Sequence, residues 1–342
     1  MDATLKNYLA GCIEDKIFPG CAVGVVTRGQ RSIVTAGKIT YDDSAPKVTE
    51  ETVYDVASIT KAVPTSCLAL KLMEEGRIGL RSRMTDYVPE FEGPFREQVQ
   101  IEHLLTHTLD FDFRLSDKKN LPSQEILRAV FSARLRTPPG ATYCYANATS
   151  ILLGLVVERV FGQRLDKAAH RCFFGPLEMN HTTFFPEKPD RPSIAPTELD
   201  PWRNRVICGE VHDESAWALR PTVVAGSAGL FSTVSDLLIF LAMLLTGGNA
   251  YGRRVFRPET IRLMSSNALP YLPGVSTALG WELDQAAFMG SYRTASTFGK
   301  TGFTGCAMVG VVDTIGSEKQ LRVAGEKDVR LQLTDNPHHF TA

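Results

Sequence analysis

The sequence is short of several things that would assign it a chemistry at once. Its seven cysteines (Cys12, Cys21, Cys67, Cys144, Cys172, Cys208, Cys306) are odd in number, scattered, and include no C-x-x-C pair, which argues against a disulfide framework or a paired-cysteine zinc site and makes a reducing cytoplasm the expected compartment. Met1–Lys16 lacks the charged head, apolar middle and small-residue cleavage site of a secretion signal. The longest apolar runs, Ile151–Val157 and Leu237–Leu245, fall well short of the ~20 residues that a membrane span requires. Charge of one sign is also missing: 37 Lys and Arg stand against 38 Asp and Glu, a net charge of -1, so no basic surface is expected for nucleic acid. His103 and His107 are spaced as helical zinc ligands can be, but Leu104 stands where H-E-x-x-H needs a glutamate, and no metal or other cofactor is expected. No G-x-S-x-G occurs, which disfavours the nucleophile elbow of an α/β-hydrolase.

A chain of 342 residues with 44% hydrophobic content can bury a large core, and chains of that size usually divide into more than one lobe. Leu5, Leu9, Cys12 and Ile13 recur at helical spacing; Cys21–Val26 and Ser32–Ala36 then read as two strands around Arg28-Gly29-Gln30. A long helix is expected from Ser58 to Glu75, stopped by Gly76, with Pro64 in its early part. Shorter helices follow at Glu102–Thr106, Gln124–Ala133 and Ser150–Phe161, then an irregular stretch from Pro186 to Glu214 and a helix at Ser235–Leu245 capped by Ser235. β-prone segments return at Thr294–Lys300 and Cys306–Asp313. Strands therefore gather at both ends of the chain with helices between them.

Within Val56-Ala57-Ser58-Ile59-Thr60-Lys61-Ala62, a hydroxyl and an amine stand three residues apart at a helix start, where they share one face. A lysine in a partly dry cleft can take the proton of such a serine and make it a nucleophile. S-x-x-K also occurs at Ser44–Lys47 and Ser116–Lys119, but the first serine lies two residues before a proline and the second in a charged loop. Ser58 taken alone could equally be a helix cap beside a surface lysine.

Two further motifs separate these readings: Tyr145-Ala146-Asn147 within Tyr143–Asn147, and Lys300-Thr301-Gly302 within Phe298–Phe303. With S-x-x-K, Y-x-N and a late K-T-G in that order, the sequence resembles the serine β-lactamase and penicillin-binding superfamily, in the branch of class C β-lactamases, D-peptidases and β-lactamase-like esterases. The resemblance spans roughly Phe18 to Gly310 and extends to Ile101–Thr108, Pro138–Gly140, Ile194–Glu198, Gly209–Ala216 and Ala225–Thr233. It implies an α/β (α+β) β-lactamase/transpeptidase-like sandwich. An antiparallel sheet from residues 1–57 and 219–342 would be flanked by helices, with a mostly helical lobe, 58–218, inserted and the active cleft between them.

The resemblance also assigns roles. Ser58 would be the acylated nucleophile, Lys61 would help deprotonate it, and Tyr145, its pKa lowered by nearby ammonium groups, would act as general base and then acid. Asn147 would bond Lys61 and a substrate carbonyl; Lys300 and Thr301 would edge the cleft and bind a carboxylate or ester oxygen; Gly302 would allow close approach of that strand. The oxyanion would be held by the backbone N–H groups of Ser58 and Phe303. His212-Asp213 is read as tying down a loop, with lining of the cleft as the alternative, and Cys144 as a packed small residue.

Three features depart from the family pattern: Leu109-Asp110 replaces a small pair, Phe303 is bulky beside the oxyanion position, and 313–342 shows strand-like alternation at Val329, Leu331 and Leu333 with no clean terminal helix. The expected function is a serine hydrolase acting through an acyl-enzyme on small acyl esters. A β-lactamase or D-alanyl carboxypeptidase is the alternative enzyme, and a catalytically retired scaffold the alternative outside enzymes. The expected partner is a small ester, amide or lactam.

Overall fold

The computed structural model describes residues 2–27, 29–186 and 194–311. The helix Asp2–Glu14 lies against the second strand of an antiparallel hairpin, Gly20–Thr27 with Gln30–Gly37, and buries Leu9 and Cys12 there. The hairpin runs from Gly20↔Gly37 to Thr27↔Gln30, so only two residues connect the strands. Gly29, at φ 77°, supplies the left-handed backbone that such a tight connection requires.

Asn147–Phe161 is the central helix. Every residue from Ala148 to Val157 is buried, the pattern of a helix packed on all sides. Around it sit the helices Cys67–Glu74, Ile101–Leu105 and Leu165–Ala169 and the wide helical turn Lys61–Ser66. Truncating a side chain at its middle, such as Leu152 to alanine, falls in the range of ~2–5 kcal/mol for a fully buried leucine. Helix Asn147–Phe161 begins three residues earlier than the apolar periodicity indicates, because Asn147 and the small residues after it continue the helix without contributing to an apolar stripe.

Helix Val234–Leu245 backs the two larger pieces of strand structure. It packs on Gly20–Thr27, where Gly24 leaves room for Leu238, and on Ala307–Gly310. Ala307–Gly310 is an edge of a three-stranded antiparallel sheet, with Phe298–Thr301 in the centre and Glu282–Leu283 on the far side. Hairpin and three-stranded sheet thus share one helix as backing, although no ladder joins them among the described residues. The cap of this helix is Thr233, which accepts from Asp236 N at 3.2 Å, and not Ser235 as the sequence suggested. Thr233 is in extended backbone at ψ 162°, so the helix begins one residue before Ser235, which lies inside its first turn.

The expected unbroken helix from Ser58 to Glu75 is also revised. Ser58 occupies a turn immediately before the helical segment, and non-helical backbone at Val63, preceding Pro64, interrupts the wide turn Lys61–Ser66 before the regular helix Cys67–Glu74 begins. Proline lacks the N–H that a continuous helix needs and disfavours helical backbone in its predecessor. The stretch expected to be irregular contains a small hairpin, Leu199–Asp200 with Arg205–Val206. The strand-like alternation at Val329–Leu333 lies outside the described residues.

Candidate active site

The turn that presents Ser58 is held from several directions. Tyr54–Asp55 pairs with Phe231–Ser232, Val56 N donates to Leu230 O at 3.0 Å, and Thr60 Oγ1 donates to Ala57 O at 2.6 Å while accepting from Leu230 N at 3.1 Å. Ala57 has φ 44°, an uncommon conformation for a residue with a side chain, here fixed by these contacts. Beneath the turn, the buried Asp55 carboxylate accepts from Ala57 N at 2.8 Å and from His212 N at 2.7 Å. Burial pushes its pKa up to about 6 against the lowering effect of those two N–H donors, with Asp213 adding to the rise.

Lys61, 2% exposed, lies one helical turn beyond Ser58 and donates from Nζ to Ser58 Oγ at 2.9 Å and to Ser227 O at 2.9 Å. The Ser227 carbonyl gets there because Gly226 threads between two elements: a Cβ on Gly226 would sit 2.3 Å from Ser150 O, and Gly226 O accepts from Thr65 Oγ1 at 2.9 Å. The small residues of Ala225–Gly229 are therefore a packing requirement that orients the ammonium.

Tyr145 arrives from just before the central helix and Lys300 from the middle strand of the three-stranded sheet. The Lys61 and Lys300 ammonium groups stand 4.9 and 4.5 Å from the Tyr145 ring centroid. Burial alone would raise the phenol's pKa, but the positive charges of Lys61 and Lys300, with hydrogen bonds to Ser58 and Lys61, outweigh it and hold it below its ordinary value. Lys300, 3% exposed, is paired with Glu282 at 2.5 Å; despite burial, Tyr145, Glu282 and Tyr143 push its pKa up to about 12. The buried His107 ring lies 4.8 Å from that of Tyr145. Burial first, then Lys300 and Lys61, drive its pKa well below the usual histidine value, so a neutral ring packs there.

After Lys300 and the half-buried Thr301, the chain passes hard against the turn that carries Ser58. A Cβ on Gly302 would meet Val56 O at 2.4 Å, and Thr304 Oγ1 donates to Asp55 O at 2.6 Å. Among the described residues, neither the Ser58 nor the Phe303 backbone N–H has a protein acceptor. The Phe303 side chain is 61% exposed and stacks on His212 with centroids 5.5 Å apart, so its bulk points away from the core.

The structure thus gathers Ser58, Lys61, Tyr145, Lys300, Thr301, Gly302 and Phe303 from three distant stretches. Asn147 is the exception to its expected contacts: Lys61 donates to Ser58 and to the Ser227 carbonyl and not to the Asn147 amide oxygen, while the Asn147 amide nitrogen donates to Asp213 Oδ2 at 2.9 Å. Asp213 also caps the helix Glu214–Leu219 by accepting from Ala216 N at 2.8 Å. His212, hydrogen-bonded from Nδ1 to Thr197 at 2.8 Å, both ties down its loop and walls the site through Phe303. His103 Nδ1 accepts from Gln100 N at 3.0 Å in a capping box, leaving it a different task from His107. Cys144 is half-buried, and burial raises its thiol pKa. Residues that the sequence did not single out are Asp55, Ser227 and Glu282, and His107 was weighed there only as a metal ligand. Ser227 and His107 lay within the runs Ala225–Thr233 and Ile101–Thr108, but nothing local marked Asp55 or Glu282.

A serine held by lysine and tyrosine at the edge of a three-stranded antiparallel sheet defines a serine-hydrolase type of protein. The beta-lactamase family model matches residues 2–321, and the chain belongs to that family. An Escherichia coli (strain K12) protein is 30% identical over 300 residues, covering 77% of this chain and 67% of its own length; it is named as a D-alanyl-D-alanine carboxypeptidase, an assignment its own name marks as provisional. The chain therefore spans about two thirds of that relative. In structure, it is similar to the octameric penicillin-binding protein homologue from Pyrococcus abyssi (TM-score 0.70, 23% identity, 89% of this chain and 69% of that one). It is also similar to EstCE1, a hydrolase with promiscuous acyltransferase activity (TM-score 0.69, 20% identity, 89% and 88%). A class C beta lactamase from Rhodobacter sphaeroides matches with TM-score 0.62 and 21% identity over 81% of this chain and 74% of that one. These likenesses carry the β-lactamase/transpeptidase-like fold. Among the described residues no helix is long and apolar enough to cross a membrane, and no three His, Cys, Asp or Glu side chains are placed to hold a metal ion.

Proposed function

We propose that the chain hydrolyses small acyl esters through an acyl-enzyme on Ser58. The observation that carries this reading is the Ser58 hydroxyl held at 2.9 Å by Lys61 Nζ beside a phenol whose pKa two ammonium groups lower. The Tyr145 phenolate takes the Ser58 proton as Oγ attacks the acyl carbonyl, and Lys61 steadies both oxygens. The N–H groups of Ser58 and Phe303 donate hydrogen bonds to the oxyanion. Tyr145 then gives its proton to the departing alcohol, leaving Ser58 acylated; a water molecule, deprotonated by the same phenolate, releases the acid and restores the serine. Asn147, oriented by Asp213, and Thr301 bind substrate oxygens beside the cleft, with Lys300 sustaining the field on Tyr145.

The curated relative named for D-alanyl-D-alanine carboxypeptidase supports a second reading, a D-alanyl carboxypeptidase or β-lactamase. The seven cysteines form no disulfide with one another, which favours work in a reducing compartment and hence the ester reading. Parallel turnover of p-nitrophenyl acetate to octanoate, nitrocefin and a D-alanyl-D-alanine peptide decides between them. The ester reading expects kcat/KM for the best ester to exceed that for lactam and peptide by at least about tenfold. Preferential release of D-alanine or opening of nitrocefin would overturn it.

A further inference from the structure

We infer that Glu282 sets the charge preference of the site: by pairing with Lys300 it cancels the positive field that would attract a carboxylate, and so selects uncharged acyl substrates. This inference rests on the hydrolase reading above and narrows its substrate class.

Lys300 is the cation of the K-T-G strand, 3% exposed, and its ammonium faces the Tyr145 ring at 4.5 Å. Its ionic partner is Glu282, whose Oε1 lies 2.5 Å from Lys300 Nζ, close enough for a short charge-assisted hydrogen bond. The carboxylate comes from the neighbouring strand, where Glu282 pairs with Gly299 across the ladder, so backbone pairing fixes its position. Its backbone neighbours are fixed as well: Trp281, next in the chain, is buried with its ring 5.1 Å from that of Phe298.

A free ammonium in a low-dielectric cleft attracts a substrate carboxylate over several ångströms, whereas a tight ion pair presents only a dipole whose field falls off faster. A negatively charged substrate would therefore meet Glu282 as well as Lys300. The remaining charges facing the pair do not restore the attraction. His107 is neutral, and Burial holds Tyr143 in its neutral form, with its pKa up to about 12. Lys61 keeps its positive charge while donating to the neutral Ser58 hydroxyl and Ser227 carbonyl, but it stands against Tyr145, whose phenolate in the reacting site offsets that charge as Glu282 offsets Lys300. Glu282 acts through Lys300 and touches no reacting atom in this scheme. It is a specificity-determining, positioning residue.

The test uses three esters of matched size: phenyl butyrate, m-carboxyphenyl butyrate with the charge on the leaving group, and monophenyl succinate with the charge on the acyl group. Each kcat/KM is divided by the ester's hydroxide-catalysed rate and compared between wild type and Glu282→Gln at 50 and 500 mM NaCl. The inference expects wild type to favour the neutral ester over both anionic ones. Glu282→Gln should raise the anionic-to-neutral ratio about tenfold for at least one of them, and the gain should shrink at high salt. A general structural loss would lower all three rates together without moving the ratio. Wild type favouring an anionic ester overturns the inference even if the variant does not fold, as does a ratio that Glu282→Gln leaves unmoved. Turnover of none of the esters by wild type contradicts the hydrolase reading, and this inference with it.

Discussion

Tyr145 concentrates the electrostatics of the site in one phenol. Its charged form is disfavoured by burial yet stabilised by two ammonium groups at 4.9 and 4.5 Å from its ring. Because the depressed pKa makes phenolate available below the ordinary tyrosine range, kcat/KM should rise with pH through a midpoint below 10 and then level. Tyr145→Phe should lose about 10²- to 10⁴-fold in kcat/KM and flatten that acid limb, which a pH profile of ester turnover between pH 5 and 10 reads directly. An unchanged limb in the variant would assign the base elsewhere. At this scale the candidate groups were legible in the sequence, since Ser58, Lys61, Tyr145 and Lys300 stand in short motifs whose chemistry depends on residue type, and the structure brings them together. It concealed Asp55 and Glu282, single acids in unremarkable surroundings whose roles arise only from partners at distant positions such as His212 and Lys300.

At the scale of elements, the site depends on how closely one strand can run beside one turn. Gly302 has a hydrogen where a Cβ would stand 2.4 Å from Val56 O, a backbone atom that cannot swing aside. Gly302→Ala should therefore push the Phe303 N–H away from Ser58, lowering kcat by about 10²- to 10³-fold, as loss of an oxyanion donor does. Thermal stability should fall by only ~1–3 kcal/mol, the usual cost of overpacking. Steady-state kinetics beside a thermal melt would show this, and wild-type kcat in a folded variant would refute the close-approach argument. Helix and hairpin positions were readable from periodicity to within a few residues, as at Gly20–Thr27 and Ile101–Leu105. The cap at Thr233 and the break at Val63 were not, because neighbouring hydroxyls compete for the cap and a proline tolerated early in a helix gives no sign of where the backbone yields.

Across the whole molecule, the groups of the candidate site are brought together by the burial of elements that carry no chemistry. The central helix Asn147–Phe161 is enclosed by helices from both its N-terminal and C-terminal sides in the chain, and Gly226 lies against it closely enough to aim the Ser227 carbonyl at Lys61. The order of the motifs revealed this architecture through resemblance, since no local pattern indicates that residues 58, 145 and 300 meet. The central claim is that they meet in order to acylate one oxygen. Its most direct measurement is intact-mass spectrometry with peptide mapping after incubation with a fluorophosphonate and with activated acyl esters. The account predicts a single stoichiometric adduct on Ser58 in the wild type, much slower labelling in Tyr145→Phe, and none in Ser58→Ala; an adduct that persists in Ser58→Ala, or no adduct with any probe, would contradict it.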